Sequence, residues 1–323
     1  MRNRNVVIDG VRSLCAIYII SFWHLTDYLP NRMGVANNDL LSSFATIGTI
    51  ISLAGFSFIS GFCLSKYKFN SIHDFLPFYT KRLKRFYPLF LLSAISLYLG
   101  GIFTEHTWYI STWQFVSTII GVNLFFPPIT MTLWYISMIM FFYFITPFVL
   151  YYKNDLCKTS FILLGILAVL LITNHYHKID YNLFKYLPFY VLGLLIPHRI
   201  IDDEFYNKKI YSIASLVLIF VCTWLCFIYN DSNLLFRIVQ YIAMLSGVIL
   251  LFALSNLVKC QFFTFVSYAS MTAYLFHRQI YFVSVKLFAD AGGYLNIYSA
   301  LITSIFIFLF SYYLQKYYDR ITK

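Results

Sequence analysis

His24 and Asp27 stand one helical turn apart in an otherwise apolar stretch, and such a pair can move a proton. A carboxylate beside an imidazole fixes its tautomer and supports the charged form, which is how enzymes build a general base. Arg12 lies in the same stretch, twelve residues earlier and roughly 18 Å away along an α-helix. Two other places carry chemistry. Lys81-Arg82-Leu83-Lys84-Arg85 is a basic run in which Arg82 and Arg85 could fork onto phosphate; as a bland alternative, the run anchors anionic lipid headgroups. His277 and Arg278 follow Tyr274-Leu275-Phe276 in a late apolar stretch, where they could equally be a buried, hydrogen-bonded pair. The remaining histidines suggest no metal. His175 and His177 lack a third ligand, His73, His106 and His198 fall at loops or interfaces, and no cysteine has zinc spacing. Cys222 and Cys226, at i and i+4, read as packing residues, and no disulfide is expected.

The elements that must position these residues are membrane helices. The chain has 323 residues, 60% hydrophobic and only 11% charged, where a soluble domain carries about 25% charged. Its mean hydropathy is +0.72, and the apolar residues come in blocks long enough to cross a bilayer. Aromatics reach 21%, with Tyr suited to headgroup level and Phe to the lipid face. The net charge of +11 would suggest nucleic acid in a soluble protein, but here it predicts a positive-inside bias and no nucleic-acid partner. Arg2 and Arg4 precede the first block, which lacks a small-residue cleavage site and is therefore expected to be a retained span rather than a signal peptide.

Ten spans are predicted, at 11–29, 44–65, 86–103, 132–152, 160–174, 186–198, 210–229, 238–256, 262–285 and 295–315. The segment 113–128 is ambiguous, because it contains Gln114 and Asn123 and ends on Pro127-Pro128. Charge arbitrates. With ten spans and both termini cytoplasmic, seventeen of the 24 Lys and Arg fall inside and five outside; if 113–128 also crossed, the split would be twelve to ten. That segment is therefore expected to be interfacial or re-entrant. The fold class that follows is all-α, a polytopic membrane helix bundle. With no stretch resembling a separate soluble domain, no tandem repeat and no low-complexity tract, residues 1–323 are expected to form a single integral-membrane domain.

In this order the motifs resemble the membrane-bound acyltransferase family 3, bacterial enzymes of about ten spans. Asp9-Gly10-Val11-Arg12 followed by His24 is similar to that family's first-span motif, and Phe58-Ile59-Ser60-Gly61-Phe62 to its second. Arg82, Arg85 and Pro88 resemble its Arg-rich approach to the third span. Leu133-Trp134-Tyr135-Ile136-Ser137, with Tyr143 and Pro147, resembles the segment opening its fourth, and Phe189 through Gly193 and Tyr268 through His277 resemble weaker later motifs. The likeness runs from about residue 5 to 315.

The resemblance implies transfer of an acyl group, most simply acetyl, from cytosolic acyl-CoA to a hydroxyl of a cell-surface polysaccharide or lipid-linked sugar. It implies a multi-pass protein of the cell membrane, surrounded by lipid. No cofactor is bound permanently, since acetyl-CoA or another acyl-CoA is the donor substrate. It implies His24 as the catalytic residue, which the residues themselves pair with Asp27. Donor or substrate binding falls to Arg12, Arg82 and Arg85, and to Trp134, Tyr135 and His277. In the expected mechanism CoA phosphates dock on Arg82 and Arg85, and His24 takes the proton of the acceptor hydroxyl. A polytopic transporter or flippase for a glycan or lipid intermediate is the alternative, although neither an inverted repeat nor paired broken helices are visible. A polysaccharide polymerase would usually need a long outside loop, and the longest here, 104–131, has no Lys or Arg.

One departure matters for geometry. The family usually separates the Arg and the His by ten residues, and here there are eleven. On a regular α-helix, at about 100° per residue, the eleven steps of the usual spacing bring the two side chains within about 20°, and twelve leave them about 120° apart. A π-type i→i+5 hydrogen bond, or a comparable break in the i→i+4 ladder, is therefore predicted between Ser13 and Trp23, where the Ser21 hydroxyl can bond back to a carbonyl one turn earlier and loosen the ladder.

Overall fold

A computed structural model describes residues 5–30, 40–104, 111–127, 129–197, 209–229, 234–257, 260–290 and 292–322, with side chains left aside at 101–104. Arg32, His106 and His198 lie outside these residues. Of the described residues 85% are helical, and no strand occurs among them. In chain order the helices are α1 (Val6–Thr26), α2 (Leu40–Leu64), α3 (Phe75–Thr104), α4 (Thr112–Ile120), α5 (Trp134–Tyr151), α6 (Leu156–His177), α7 (Tyr181–Leu195), α8 (Lys209–Ile228), α9 (Leu234–Ser255), α10 (Gln261–Phe288) and α11 (Ile297–Ile321).

Seven of these, α1, α2, α5, α6, α8, α9 and α11, are long and apolar enough to cross a membrane. Helices also stand at the other three predicted spans. α7 has only 15 residues, about 22 Å against a hydrocarbon core of about 30 Å. α3 and α10 are longer but more polar, carrying the basic run and a row of Ser, Thr, His and Arg. The ambiguous segment forms a nine-residue helix, α4, about 14 Å long and too short to cross. Ser111 and Gln114 open it with a capping box, and Gly121 closes it at φ 83°, a conformation that suits glycine.

The described residues divide into two compact units, one of residues 1–59 with 197–321 and one of residues 60–196. In the first unit α1 packs on α9 and α10, α10 on α11, and α8 on α9. Lipid is as apolar as the side chains it surrounds, so contact between such helices relies on close packing and on hydrogen bonds. Gly10 supplies the packing, because a Cβ there would meet Ser255 of α9. Its neighbour Asp9 supplies the bond, accepting from Ser267 Oγ of α10 at 2.6 Å. The Asp-Gly of the first motif therefore seats α1 against two helices at once. Tyr268 and Thr272 tie α10 to Asp319 and Gln315 of α11.

In the second unit α5 packs on α3, α6 and α7 around Phe90, Phe142, Leu183, Tyr186 and Tyr190. Gly61 faces the Tyr190 carbonyl so closely that a Cβ would collide with it, which accounts for the Gly in the second motif. Thr146 and Tyr190 share a hydroxyl–hydroxyl bond. Lys153 donates to the Leu194 carbonyl at 2.8 Å and to that of Ser65 at 3.5 Å, satisfying acceptors left over at the ends of α7 and α2.

Candidate functional site

α1 is not a uniform α-helix. Asn5 caps it by accepting from the Val7 and Ile8 amides, and α-helical bonding runs to Tyr18. Residues Ile19–Trp23 are then π-helical, and the His24 amide reaches the Ile19 carbonyl, five residues back. This is the break that the Arg12–His24 spacing predicts, within the interval predicted for it. A π turn turns less per residue than an α turn and so absorbs one residue. Its cause is tertiary. Tyr281 Oη donates to the Ile20 carbonyl at 3.1 Å, and Ser21 accepts from Ser304 of α11 instead of bonding back within α1. Arg12 is half-buried on the α-helical part, roughly 18 Å along the axis from His24.

Just past the π turn sits a compact polar cluster. Arg278 of α10, 5% exposed, donates from Nη1 to Asp27 Oδ2 at 2.7 Å and from Nη2 to His24 Nδ1. His24 Nδ1 lies 3.7 Å from the same Asp27 oxygen, beyond hydrogen-bond length. A guanidinium has two donor arms, so Arg278 reaches both members of the pair that the sequence places one turn apart. Asp27 thus acts on His24 as a near neighbour and also through Arg278. The Arg278 guanidinium also lies 5.9 Å over the Tyr28 ring, and Tyr28 stacks on Tyr281 at 4.8 Å.

His277 completes the cluster. Its ring centre is 4.8 Å from that of His24, with the planes tilted by 37°. Its Nδ1 faces the carbonyls of Tyr274 at 2.8 Å and Ala273 at 3.2 Å on its own helix. The side chain is fully buried, and Nε2 has no hydrogen-bond partner. The structure therefore gathers His24, Asp27 and His277 from the sequence-predicted set. It adds Arg278, which sequence reasoning noticed as a charge in a span without giving it a site role. The signal was available, because a cation in an apolar stretch needs a nearby anion, and Asp27 is the single carboxylate within the ten predicted spans.

Of the other predicted residues Arg12 belongs to the first unit, and Arg82, Arg85, Trp134 and Tyr135 to the second. A 3-10 turn, Ile72–Asp74, leads into the helix that carries the basic run; its capping box has Asp74 accepting from the Ser71 amide, the Asn70 amide donates to Asp74 as well, and those bonds hold its carboxyl below the usual carboxylate range. Arg82 and Arg85 follow at i and i+3, neighbours on one flank. The Arg82 guanidinium lies 5.0 Å from the Tyr67 ring and 5.5 Å from that of Phe78, and its Nε is buried without a hydrogen-bond partner. Arg85 is exposed. Trp134 opens α5 after Thr132, whose φ is 63°; it stacks on Tyr186 at 6.1 Å, and Tyr135 is buried.

Among the described residues no group of three or more His, Cys, Asp or Glu could hold a metal. An apolar cleft of about 330 Å³ opens beside α1, lined by Tyr18, Phe22, Gly48, Ile51, Gly247 and Leu251 among others. It presents no charged group and no imidazole, so the polar cluster, not the cleft, is the candidate for chemistry. The profile of a family described as an acyltransferase domain matches residues 5–316, nearly the whole chain and both of its units. No curated protein and no solved structure matches this chain.

Proposed function

This chain belongs to acyltransferase family 3, and from that we propose that it is a membrane O-acyltransferase which moves an acyl group, most simply acetyl, from cytosolic acyl-CoA to a hydroxyl of a cell-surface polysaccharide or lipid-linked sugar. The observation that carries this reading is the imidazole cluster at the π turn. His24 is held by a buried Arg278–Asp27 pair and faces a second imidazole, while 13% of its own side chain stays exposed. Burying charge in an apolar bundle is costly unless it serves a site, and two imidazoles are suited to passing protons between a hydroxyl and a thiol.

In this reading His24 is the catalytic imidazole, and Asp27 fixes it through Arg278. Arg82 and Arg85 recognise the CoA phosphates. Arg12 serves the donor, and Trp134 and Tyr135 contribute to substrate binding. The chain works as one catalytic domain with ten crossings and cytoplasmic termini in the plasma membrane, and α4 does not cross. The test is to supply the purified protein, in membranes from the expressing cell, with acetyl-CoA labelled in the acetyl group. Label should pass to a glycan or lipid-linked sugar fraction and should fail to do so with His24→Phe. No transfer and no thioester loss with wild-type protein would overturn the reading in favour of a transporter. Cysteines placed at positions 110 and 130 should be labelled from the same side of intact cells; labelling of only one would overturn the ten-span topology.

A further inference from the structure

We propose that the two imidazoles divide the work: His277 takes the proton of the incoming hydroxyl, and His24 donates a hydrogen bond to the acyl carbonyl. This assignment rests on the acyl-transfer reading and gives the individual proton positions within it.

The tautomers of both rings follow from which of their neighbours can donate. A guanidinium has only N–H groups, so where Arg278 Nη2 meets His24 Nδ1, the ring nitrogen must offer its lone pair. Neutral His24 then carries its proton on Nε2. That tautomer can give a hydrogen bond from Nε2 but cannot accept a proton there. At His277 the logic is reversed. Its Nδ1 faces two backbone carbonyls, at 2.8 and 3.2 Å, and carbonyls only accept. The proton therefore sits on Nδ1, and the bare lone pair is on Nε2. This is the atom that is buried without a partner on a side chain of zero exposure. A buried acceptor left unmet is a standing cost, and a substrate O–H is a donor that would remove it.

The rings are 4.8 Å apart, close enough for two oxygens on one reacting carbon to meet one ring each. The acceptor O–H passes its proton to His277 Nε2 as its oxygen attacks the thioester carbonyl carbon, forming the C–O bond. The carbonyl oxygen becomes an oxyanion held by His24 Nε2–H. When the C–S bond breaks, the thiolate takes the proton back from His277, giving the ester and free CoA thiol. Arg278 is a positioning residue, because it fixes the His24 tautomer. The opposite assignment, with His24 as base, would require Arg278 to leave Nδ1 and Asp27 to close the present 3.7 Å gap.

The variants separate these roles. Gln at position 24 retains an N–H donor but not a base, and Leu retains neither. Thiol release from acetyl-CoA is measured per folded molecule in membranes of the expressing cell. His277→Gln and His277→Phe should each fall by about 100-fold or more, with KM for acetyl-CoA unchanged. His24→Gln should keep at least about ten times the rate of His24→Leu, as expected when a hydrogen-bond donor to an oxyanion is preserved. Either His277 variant within about threefold of wild type would overturn the proposal, as would His24→Gln being as inactive as His24→Leu, since the rate losses expected of a base or an oxyanion donor are far larger. A measurement on the unaltered protein covers the case in which the variants fail to fold. Nitrogen NMR of histidine-labelled protein should find His24 protonated on Nε2 and His277 on Nδ1. His24 protonated on Nδ1 alone would overturn the proposal. If wild type releases no thiol, the acyl-transfer reading falls as well; if wild type is active and only the His277 results fail, that reading stands and this assignment alone is lost.

Discussion

The cluster around His24 and the basic run on α3 both bring cations together, but they do so in opposite ways. Arg278 is 5% exposed, and its two arms are taken up by Asp27 and His24. Arg85 is exposed, and Arg82 rests on the faces of Tyr67 and Phe78 with its Nε unbonded. The first arrangement fixes geometry, because a buried charge with every arm engaged has one place to be. The second keeps charge available, because aromatic faces orient a guanidinium without using up its donors. Chemistry needs the former and recognition of a charged, mobile phosphate needs the latter.

The comparison predicts its largest effect at His24. Replacing it with Phe should lower acyl transfer by about 10²- to 10³-fold, the range expected when a hydrogen-bond donor to an oxyanion is lost. Thermal stability should change little by comparison, since the ring packs against His277 and Phe preserves that contact. A stability loss that accounts for the activity loss would make His24 a packing residue and remove the contrast between the two regions.

Next in size is the Arg278–Asp27 pair. Removing Arg278 alone, as Arg278→Leu, leaves Asp27 without its 2.7 Å partner; breaking a buried pair from one side costs about 3 to 5 kcal/mol, and the lower end applies because Asp27 is 20% exposed. The double variant Asp27→Asn with Arg278→Leu should recover part of that stability but none of the activity. Thermal unfolding of wild type, Arg278→Leu, Asp27→Asn and the double variant measures the coupling. Additive losses would mean that the pair does not act as a unit.

The basic run should give a smaller, donor-specific effect. Arg82→Gln with Arg85→Gln removes charge-assisted bonds worth about 1.5 to 3 kcal/mol each, which predicts a rise of at least tenfold in KM for acetyl-CoA with little change in KM for the acceptor. Arg82→Gln alone should exceed Arg85→Gln alone, since Arg82 is the one already held in place by Tyr67 and Phe78. Unchanged donor KM with poor membrane insertion would make the run a topology anchor.

How far the sequence discloses all this depends on the range of the interaction. The helical membrane class follows from apolar blocks, and the short α4 from Gln114, Asn123 and the two prolines, all local features. The π turn is legible too, because one extra residue between Arg12 and His24 is a count. The partner of His24 is not. Asp27 is near in sequence and looks like the sole holder, but Arg278 comes from 254 residues away and shares the part. The tautomer of His277 is equally hidden, since it depends on which ring nitrogen meets its own helix's carbonyls. Within the helix count, seven are apolar enough to be recognised by composition, and α3, α7 and α10 fall short because they are polar or brief. Of these, α3 and α10 carry the predicted Arg82, Arg85 and His277, as expected where helices trade lipid compatibility for chemistry.

The smallest effect, and the sharpest test of α1, comes from deleting Phe22. This residue lies within the π turn and is 39% exposed, one of the turn's more dispensable side chains. Its loss restores ten residues between position 12 and the histidine, so α-helical bonding can run unbroken and still bring the histidine to Arg278. The cost is the ring contact with Tyr18 at 5.2 Å, worth about 1 kcal/mol, and the displaced bond from Tyr281 to the Ile20 carbonyl, worth about as much. Activity should therefore fall by less than about 30-fold, the factor that about 2 kcal/mol would give if the whole cost fell on the site. Deleting Ser21 as well leaves no spare residue to absorb, rotates the histidine by about 100° relative to Arg12, and should abolish transfer. If the single deletion is as damaging as the double, the π turn is required in its own right, through the Ile20 carbonyl and Tyr281, and is not merely a way of taking up an extra residue.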